Sequence, residues 1–386
     1  MKETISSEQK PIKLWLSDIE AGALEQARNL ANLPFVFHHI AIMPDAHQGY
    51  GMPIGGVMAA EEMIVPNAVG VDIGCGMCAV RTSLTEISKE KLKSIMALVR
   101  LAIPLGFKHH NRGQGQKRMP NGADELDIVR TEYQSALKQI GTLGGGNHFI
   151  EIQRGSDGYI WLMIHSGSRN IGFRVANHYN RLAISLNDKW KSKVPGKWQL
   201  AYLPMDSSAG QIYLREMQYC VEFAHANRIL MMERLIDAVV NVCGPVFFED
   251  EINIAHNYAA REKHFNKEVM VHRKGATRAF KDEYGIVPGC QGTMSYIVRG
   301  KGNPESFKSC SHGAGRQMGR KQAQRQLDLQ KEMARLDALG VIHSIRSRRD
   351  LDEAAGAYKD ISVVMASQAD LVEIVTELRP LAVIKG

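Results

Sequence analysis

The hexapeptide Ser311-His312-Gly313-Ala314-Gly315-Arg316 sets one imidazole among flexible glycines and beside an arginine. In such a setting a histidine nitrogen can attack a phosphorus atom while backbone N–H groups hold the phosphate oxygens. The competing reading is a surface turn with an incidental histidine, so the rest of the chain has to decide. Two more glycine-rich turns could present N–H groups to an anion, Gly144-Gly145-Gly146-Asn147 and Pro288-Gly289-Cys290-Gln291-Gly292-Thr293. No Gly-Lys-Ser/Thr follows any of the three and none opens a Rossmann unit, which disfavours the usual nucleotide folds.

Asp72 and Cys75 lie three apart in Val71-Asp72-Ile73-Gly74-Cys75-Gly76, where the glycines let the chain curl and aim a carboxylate and a thiolate at one point. Histidines recur in similar settings: His148 after the Gly144 turn, His165 at the end of an apolar run before Ser166-Gly167-Ser168-Arg169, and His256 in Ile254-Ala255-His256-Asn257-Tyr258. One Asp, one Cys and three His form a set of mixed hardness that could hold zinc, manganese, iron or cobalt, and ligand type alone does not choose. The set is larger and less sulfurous than a closed structural zinc site, which fits an open catalytic one whose thiolate could bridge two ions. Bound metal would keep Cys75 deprotonated. His38, His39, His178, His225, His264 and His343 read as structural or solvated, and Cys75-Gly76-Met77-Cys78 lacks the second pair that a zinc ribbon needs. The run His272-Arg273-Lys274-Gly275-Ala276-Thr277-Arg278 suits a phosphodiester backbone, and equally a solvated charge cluster. It carries no aromatic interleaving for reading bases.

Rigid elements must position these groups. Apolar runs at residues 69–73 and 159–165 read as buried strands that deliver Asp72 and His165 at or near their ends. Helical periodicity marks residues 88–101, 124–140 and 211–242, and a basic helix is expected over 316–338. Residues 107–122 and 187–204 read as basic loops rather than flexible linkers, and no internal repeat is present, so the chain reads as one compact unit. Lys and Arg exceed Asp and Glu by 48 − 41 = 7, a balance that permits a polyanionic partner such as nucleic acid without requiring one. No apolar run is long enough to span a bilayer and the N-terminus lacks the core of a signal peptide, so a cytoplasmic protein with no membrane partner is expected. Six scattered cysteines do not make a disulfide framework.

Nine segments, taken in order, resemble the motifs of the RtcB family of GTP- and manganese-dependent RNA ligases. They are Met43-Pro44-Asp45-Ala46-His47-Gln48-Gly49-Tyr50-Gly51, residues 70–76, 144–151 and 165–170, His256-Asn257-Tyr258, residues 272–278, 288–295 and 311–316, and the terminal Lys385-Gly386. The resemblance spans nearly the whole chain. It implies a single α+β ligase domain over residues 1–386, with mixed and antiparallel sheets around a central metal cleft flanked by helices. It also implies joining of RNA 3′-phosphate or 2′,3′-cyclic phosphate ends to 5′-hydroxyl ends, in RNA repair or tRNA splicing. By the resemblance, Asp72, Cys75, His148, His165 and His256 hold two manganese ions with Cys75 as the bridge, the same five residues singled out by type and setting. His312 becomes the guanylylated residue, and the GMP it carries then activates the RNA 3′-phosphate. GTP contacts carry over to Asn147, His148, Phe149, Ile150, Glu151, Asn257, Pro288, Gly289, Cys290, Gln291, Ser295, His312, Gly313, Ala314, Gly315 and Lys385. Arg169 and the 272–278 cluster are candidates, from charge and position, for gripping RNA or triphosphate. Cys290 and Gly319 stand where the family more often has serine, which points to a divergent, bacterial-type branch. A monomer is compatible with all of these motifs. The competing function is a metal-dependent phosphoesterase acting on nucleotides or cyclic phosphates, which needs neither a covalent histidine nor a C-terminal lysine.

Overall fold

The computed structural model describes residues 1–386 and has an α+β architecture built on two large sheets. The first orders its strands Glu3–Ile5, Ile12–Leu14, Val36–Tyr50, Met52–Ala60, Lys267–Lys274 and Asn257–His264. Its pairings are antiparallel except for the parallel one between Ile12–Leu14 and Val36–Tyr50. The second sheet is wholly antiparallel, in the order Ile252–Ala255, Gly76–Arg81, Ile160–Ser166, Phe149–Gly155, Val372–Lys385, Ser295–Gly300 and Tyr284–Val287. The chain crosses from the second sheet to the first at His256, between strands Ile252–Ala255 and Asn257–His264, and the candidate site forms at that crossing. A two-stranded ladder of Ala276–Arg278 with Ser309–Ser311 leads directly into His312.

Helix Ser208–Cys243 runs through the centre. The Ser207 hydroxyl caps it by accepting from Gly210 N at 3.1 Å, and Gly244 at φ +85° ends it. Its buried face packs Tyr213, Met217 and Phe223 into one apolar core along its first half and Met231, Leu235 and Val239 into another along its second, while Gln211, Arg215, Gln218 and Glu222 line an exposed face. Helices Lys89–Ala102 and Asp127–Gln139 follow the expected periodicity, the first capped by Ser88. No helix is long and apolar enough to cross a membrane.

Two sequence expectations need correction, and one helix was not foreseen. Residues 69–73 are not a strand: Pro66–Val69 is one turn of helix, and Gly70 (φ +95°) and Gly74 (φ +74°) bend the following segment into a loop. Its apolar residues Val69 and Ile73 are buried, which is why the run imitates a strand. The expected basic helix is two short ones, Arg320–Gln326 and Leu329–Ala338, because the Asp328 side chain accepts from Lys331 N at 2.9 Å and starts a new helix there. Helix Arg169–Lys189 has no counterpart among the expected elements; its polar face, rich in Asn and Arg, dilutes the apolar period.

Candidate active site

Cys75, His148 and His165 form a buried trio whose donor atoms all lie within 4.8 Å of one another. Cys75 Sγ is 3.5 Å from His148 Nε2 and 3.3 Å from His165 Nε2, and Asp72 Oδ2 is 3.1 Å from His148 Nε2. His148 Nδ1 lies 2.9 Å from Leu143 O and His165 Nδ1 lies 3.1 Å from Asn147 O. A carbonyl only accepts, so both Nδ1 atoms carry the hydrogen and both Nε2 lone pairs face Cys75, the orientation that metal-bound histidines adopt. The His256 ring sits 5.2 Å from that of His165, and its Nδ1 is buried without a partner in the chain.

The electrostatics fit a cation. Burial, then the Asp72 charge, pushes the Cys75 thiol well above its ordinary value, and burial holds His165 and His256 well below theirs and so neutral. Burial also acts to raise Asp72, but the polar surroundings of His148, Cys75 and Arg169 outweigh it and hold the carboxyl below its ordinary value. Converging imidazole lone pairs, one carboxylate, a thiol that a cation would deprotonate and an orphaned imidazole nitrogen make a donor set suited to a divalent ion.

The loops carrying these groups are irregular and are tied down from helix Ser208–Cys243. Asn227 Oδ1 accepts from Gly141 N and Thr142 N at 2.7 and 3.1 Å, and its amide donates to Ser166 Oγ and Gly167 O at 3.1 and 3.0 Å. Buried Arg228 donates to Gly74 O at 2.9 Å and Ser166 O at 3.0 Å. One turn of helix thus fixes the segments before His148, around His165 and before Cys75.

His312 faces the same space, its ring 4.9 Å from that of His256. Its Nδ1 lies 2.6 Å from Asp45 Oδ2, and that oxygen also accepts from the backbone N–H of His312 at 3.0 Å and Gly313 at 3.2 Å. Burial acts to raise the Asp45 carboxyl, but the charge and hydrogen bond of His312 outweigh it, so Asp45 is ionised and accepts the Nδ1 hydrogen. The Nε2 lone pair is left free, as an imidazole nucleophile requires. Gly315 (φ +74°) is obligatory here, since any Cβ would collide with the Asp45 backbone.

These groups line a cavity of about 860 Å³. Around it the structure gathers Asp72, Cys75, Asn147, Phe149, Glu151, His165, His256, Asn257, Pro288, Gly289, Cys290, Gln291, His312, Gly313, Ala314, Gly315 and Lys385. Strand pairing sets its far end: Lys385 stands opposite Phe149 in the ladder between Val372–Lys385 and Phe149–Gly155, beside Glu151 on the same face. Lys385 Nζ lies 5.5 Å from the Phe149 ring centroid. Burial raises the Glu151 carboxyl to about 7, partly opposed by Lys385 and by the Gln153 amide at 2.6 Å. Burial lowers Lys385, while Glu353 and Glu151 act to raise it.

A family profile described as "tRNA-splicing ligase RtcB" matches residues 26–386. The chain is 38% identical over 417 residues to "RNA-splicing ligase RtcB" of Escherichia coli (strain K12), covering 100% of this chain and 99% of that protein. It is 32% identical over 466 residues to "tRNA-splicing ligase RtcB" of Nanoarchaeum equitans (strain Kin4-M), covering 97% and 95%. Against the protein of the same name from Thermococcus kodakarensis it is 32% identical over 438 residues, covering 94% and 91%. The chain belongs to the RtcB ligase family. It is a ligase enzyme.

Within this RtcB structure several expected contacts take other places. Ile150 points into the apolar core on the opposite face of its strand from Phe149 and Glu151, as strand alternation requires, and does not line the cavity. Ser295 is buried behind the 288–291 turn, where its Oγ accepts from Gly289 N and Gln153 Nε2, both at 3.1 Å. His148 stands behind the wall with the thiol, not in it. Asn257 reaches the cavity, but its amide donates to Asp72 O at 3.1 Å and its Oδ1 accepts from Gly275 N at 2.7 Å, so it braces the Asp72 loop. The supposed RNA grips are mostly internal. Arg273 is fully buried in a two-pronged pair with Glu262 at 2.5 and 2.9 Å, and Lys274 donates to Tyr50 O and Asn67 O at 2.6 and 3.0 Å, with burial lowering its ammonium to about 7. Arg169 bonds Thr142 Oγ1 and Gly106 O, Arg278 pairs with Glu283, and Arg316 is held by Glu353, Tyr358 and the Asp352 carbonyl.

Asp45, Asn227 and Arg228 carry much of the RtcB site's order, and sequence reasoning assigned them no role. Asp45 had a readable signal, a lone carboxylate directly after the apolar run Ile40–Met43, whereas Asn227 and Arg228 look like ordinary polar positions of a long helix.

Proposed function

We propose that the protein joins RNA ends bearing a 3′-phosphate or 2′,3′-cyclic phosphate to 5′-hydroxyl ends, using GTP and a His312–GMP intermediate, as a single ligase domain over residues 1–386 in the cytoplasm. The observation that carries this is the pairing of His312 Nδ1 with ionised Asp45 at 2.6 Å, with His312 facing the cavity that Cys75 and His165 also line. A phosphoesterase that works through metal-bound water alone needs no histidine nucleophile.

His312 Nε2 attacks the α-phosphorus of GTP; the P–N bond forms, the α–β P–O bond breaks, and pyrophosphate leaves. Asp45 keeps the Nδ1 hydrogen in place and stabilises the positive charge that grows on the ring. An oxygen of the RNA 3′-phosphate then attacks the GMP phosphorus and releases His312, giving an RNA end activated by GMP. Attack of the 5′-hydroxyl on the RNA phosphorus forms the phosphodiester and expels GMP. Cyclic phosphate ends are first opened by water. The N–H groups of the 313–315 turn are set to bind phosphate oxygens, and Glu151 at the far end offers a carboxylate to the N–H edge of guanine. Asp72, Cys75, His148, His165 and His256 would hold two manganese ions, which when bound supply positive charge to the phosphate oxygens.

Incubation with α-labelled GTP and manganese tests the reading: an acid-labile, alkali-stable label on the wild type that His312→Ala abolishes is expected. A label that persists in His312→Ala moves the nucleophile elsewhere. Release of nucleotide with no protein label at any time point favours the phosphoesterase.

A further inference from the structure

At the mouth of the cavity, away from Glu151 and Lys385, one aromatic ring is held out into solvent. Tyr50 is 73% exposed although it ends a long buried strand, and Val71 beside the mouth is 50% exposed. An exposed tyrosine is ordinarily mobile, but the backbone beneath this one is fastened on several sides. Lys274 Nζ donates to Tyr50 O at 2.6 Å. Gly49 exchanges two hydrogen bonds with the Gln26 side chain, at 2.7 and 3.0 Å, and Gln48 N donates to Glu20. Gly51 (φ +69°) reverses the chain so closely against Gln199 and Asn67 that no side chain fits there. The same Lys274 donates to Asn67 O and its stem packs against Gly70, so one buried lysine ties the Tyr50 turn to the loop of Val71 and Asp72. The Tyr50 hydroxyl has no partner in the chain, so no internal bond explains the ring's position. A rigidly mounted, outward-facing aromatic at the rim of a phosphate-handling cavity has the chemistry of a base-stacking platform, which accepts any base because every base has a π-face.

We propose that Tyr50, flanked by Val71, stacks the terminal nucleobase of the RNA strand that carries the 3′-phosphate. The assignment rests on the ligase reading above. The 3′-phosphate end is favoured over the 5′-hydroxyl end because it alone brings a terminal anionic group, which a cation held by Asp72 and the Cys75 trio, one residue from Val71, would anchor, leaving its base at the platform. In the ligase reading guanine is assigned to Glu151 and the 288–291 turn, which leaves Tyr50 for an RNA base.

The test measures binding of single-stranded RNA ending in a 3′-phosphate to the full-length protein, for the ordinary oligonucleotide and for one whose last nucleotide is abasic. Tyr50→Ala is expected to weaken binding of the ordinary end by roughly five- to 150-fold, the span of base–aromatic stacking. Tyr50→Trp should retain it. The abasic end should bind wild type and Tyr50→Ala alike, because each change removes the same contact. Equal weakening of both ends by Tyr50→Ala, failure of Tyr50→Trp to bind, or discrimination confined to a 5′-hydroxyl oligonucleotide would each overturn the assignment. Joining by the wild-type protein is measured in parallel. Absence of joining with base-dependent binding intact refutes the ligase reading alone, and joining without base-dependent binding refutes the platform alone.

Discussion

Replacing Glu151 by Gln should stabilise the ligand-free protein while weakening its hold on GTP. Glu151 is 4% exposed, and burial lifts its carboxyl from the ordinary 4.5 to about 7. Between those two pH values the folded state holds a proton that the unfolded state has released. Stability therefore falls as pH rises through this window, and the wild type is penalised fully above pH 7 and not at all below 4.5. A displacement of about 2.5 pH units at about 1.4 kcal/mol each makes roughly 3 kcal/mol. This is an upper bound, because buried Lys385 loses a partner in the variant. Gln is isosteric, and its carbonyl can still accept from Gln153 Nε2. Urea unfolding of both proteins at pH 5 and pH 8 isolates the effect, since other titrating groups cancel in the difference. The advantage of Glu151→Gln should be small at pH 5 and approach the bound at pH 8. A difference that does not change with pH, or a variant less stable than wild type at pH 8, refutes the reasoning. GTP affinity should fall in the same variant, since a neutral amide accepts the guanine N–H donors less strongly than a carboxylate.

Asp45→Asn removes the charge that holds His312 Nδ1, a charge-assisted bond worth roughly 1.5–3 kcal/mol, so single-turnover guanylylation should slow by roughly ten- to 150-fold. A loss under twofold would show that the carboxylate does not prepare the nucleophile. Glu262→Ala strands the buried Arg273 guanidinium and should destabilise the fold by roughly 3–5 kcal/mol in chemical denaturation. Unchanged stability with weakened RNA binding would instead restore Arg273 to the RNA surface.

How legible the molecule is in its sequence depends on the range of the interactions involved. Helices at 88–101, 124–140 and 211–242 carry local periodicity, the first and last also a serine cap, and the structure has them at Lys89–Ala102, Asp127–Gln139 and Ser208–Cys243. The α+β class followed from the family resemblance, and the structure has it. The loop at 70–75 was misread because burial of Val69 and Ile73 leaves the same apolar trace as a strand, and only the conformations of Gly70 and Gly74 separate the two. Residue types and settings pointed to Cys75, His148 and His165, which the structure brings together, because side chains able to hold a metal are chemically distinctive. The 272–278 run misled for the complementary reason: composition shows charge and not its partners, and Glu262 pairs with Arg273 across a hairpin.

The residues that escaped notice share one physical property. Asp45, Asn227 and Arg228 act on backbone groups and on other side chains, so nothing in their own neighbourhood announces them. The site needs them because Asp72, Cys75, His148 and His312 sit on glycine-rich loops, which supply tight curvature and bare N–H groups but no ladder to hold them still. Asn227 alone engages Gly141, Thr142, Ser166 and Gly167, and Arg228 adds Gly74, so the freedom that glycine gives these loops is countered from a single turn of helix Ser208–Cys243. Lys274 does the same at the mouth for the Tyr50 and Asp72 loops. Buried polar side chains that would be costly in an ordinary core are here satisfied by loop carbonyls and amides, which join the rigidity of the site to the stability of the fold.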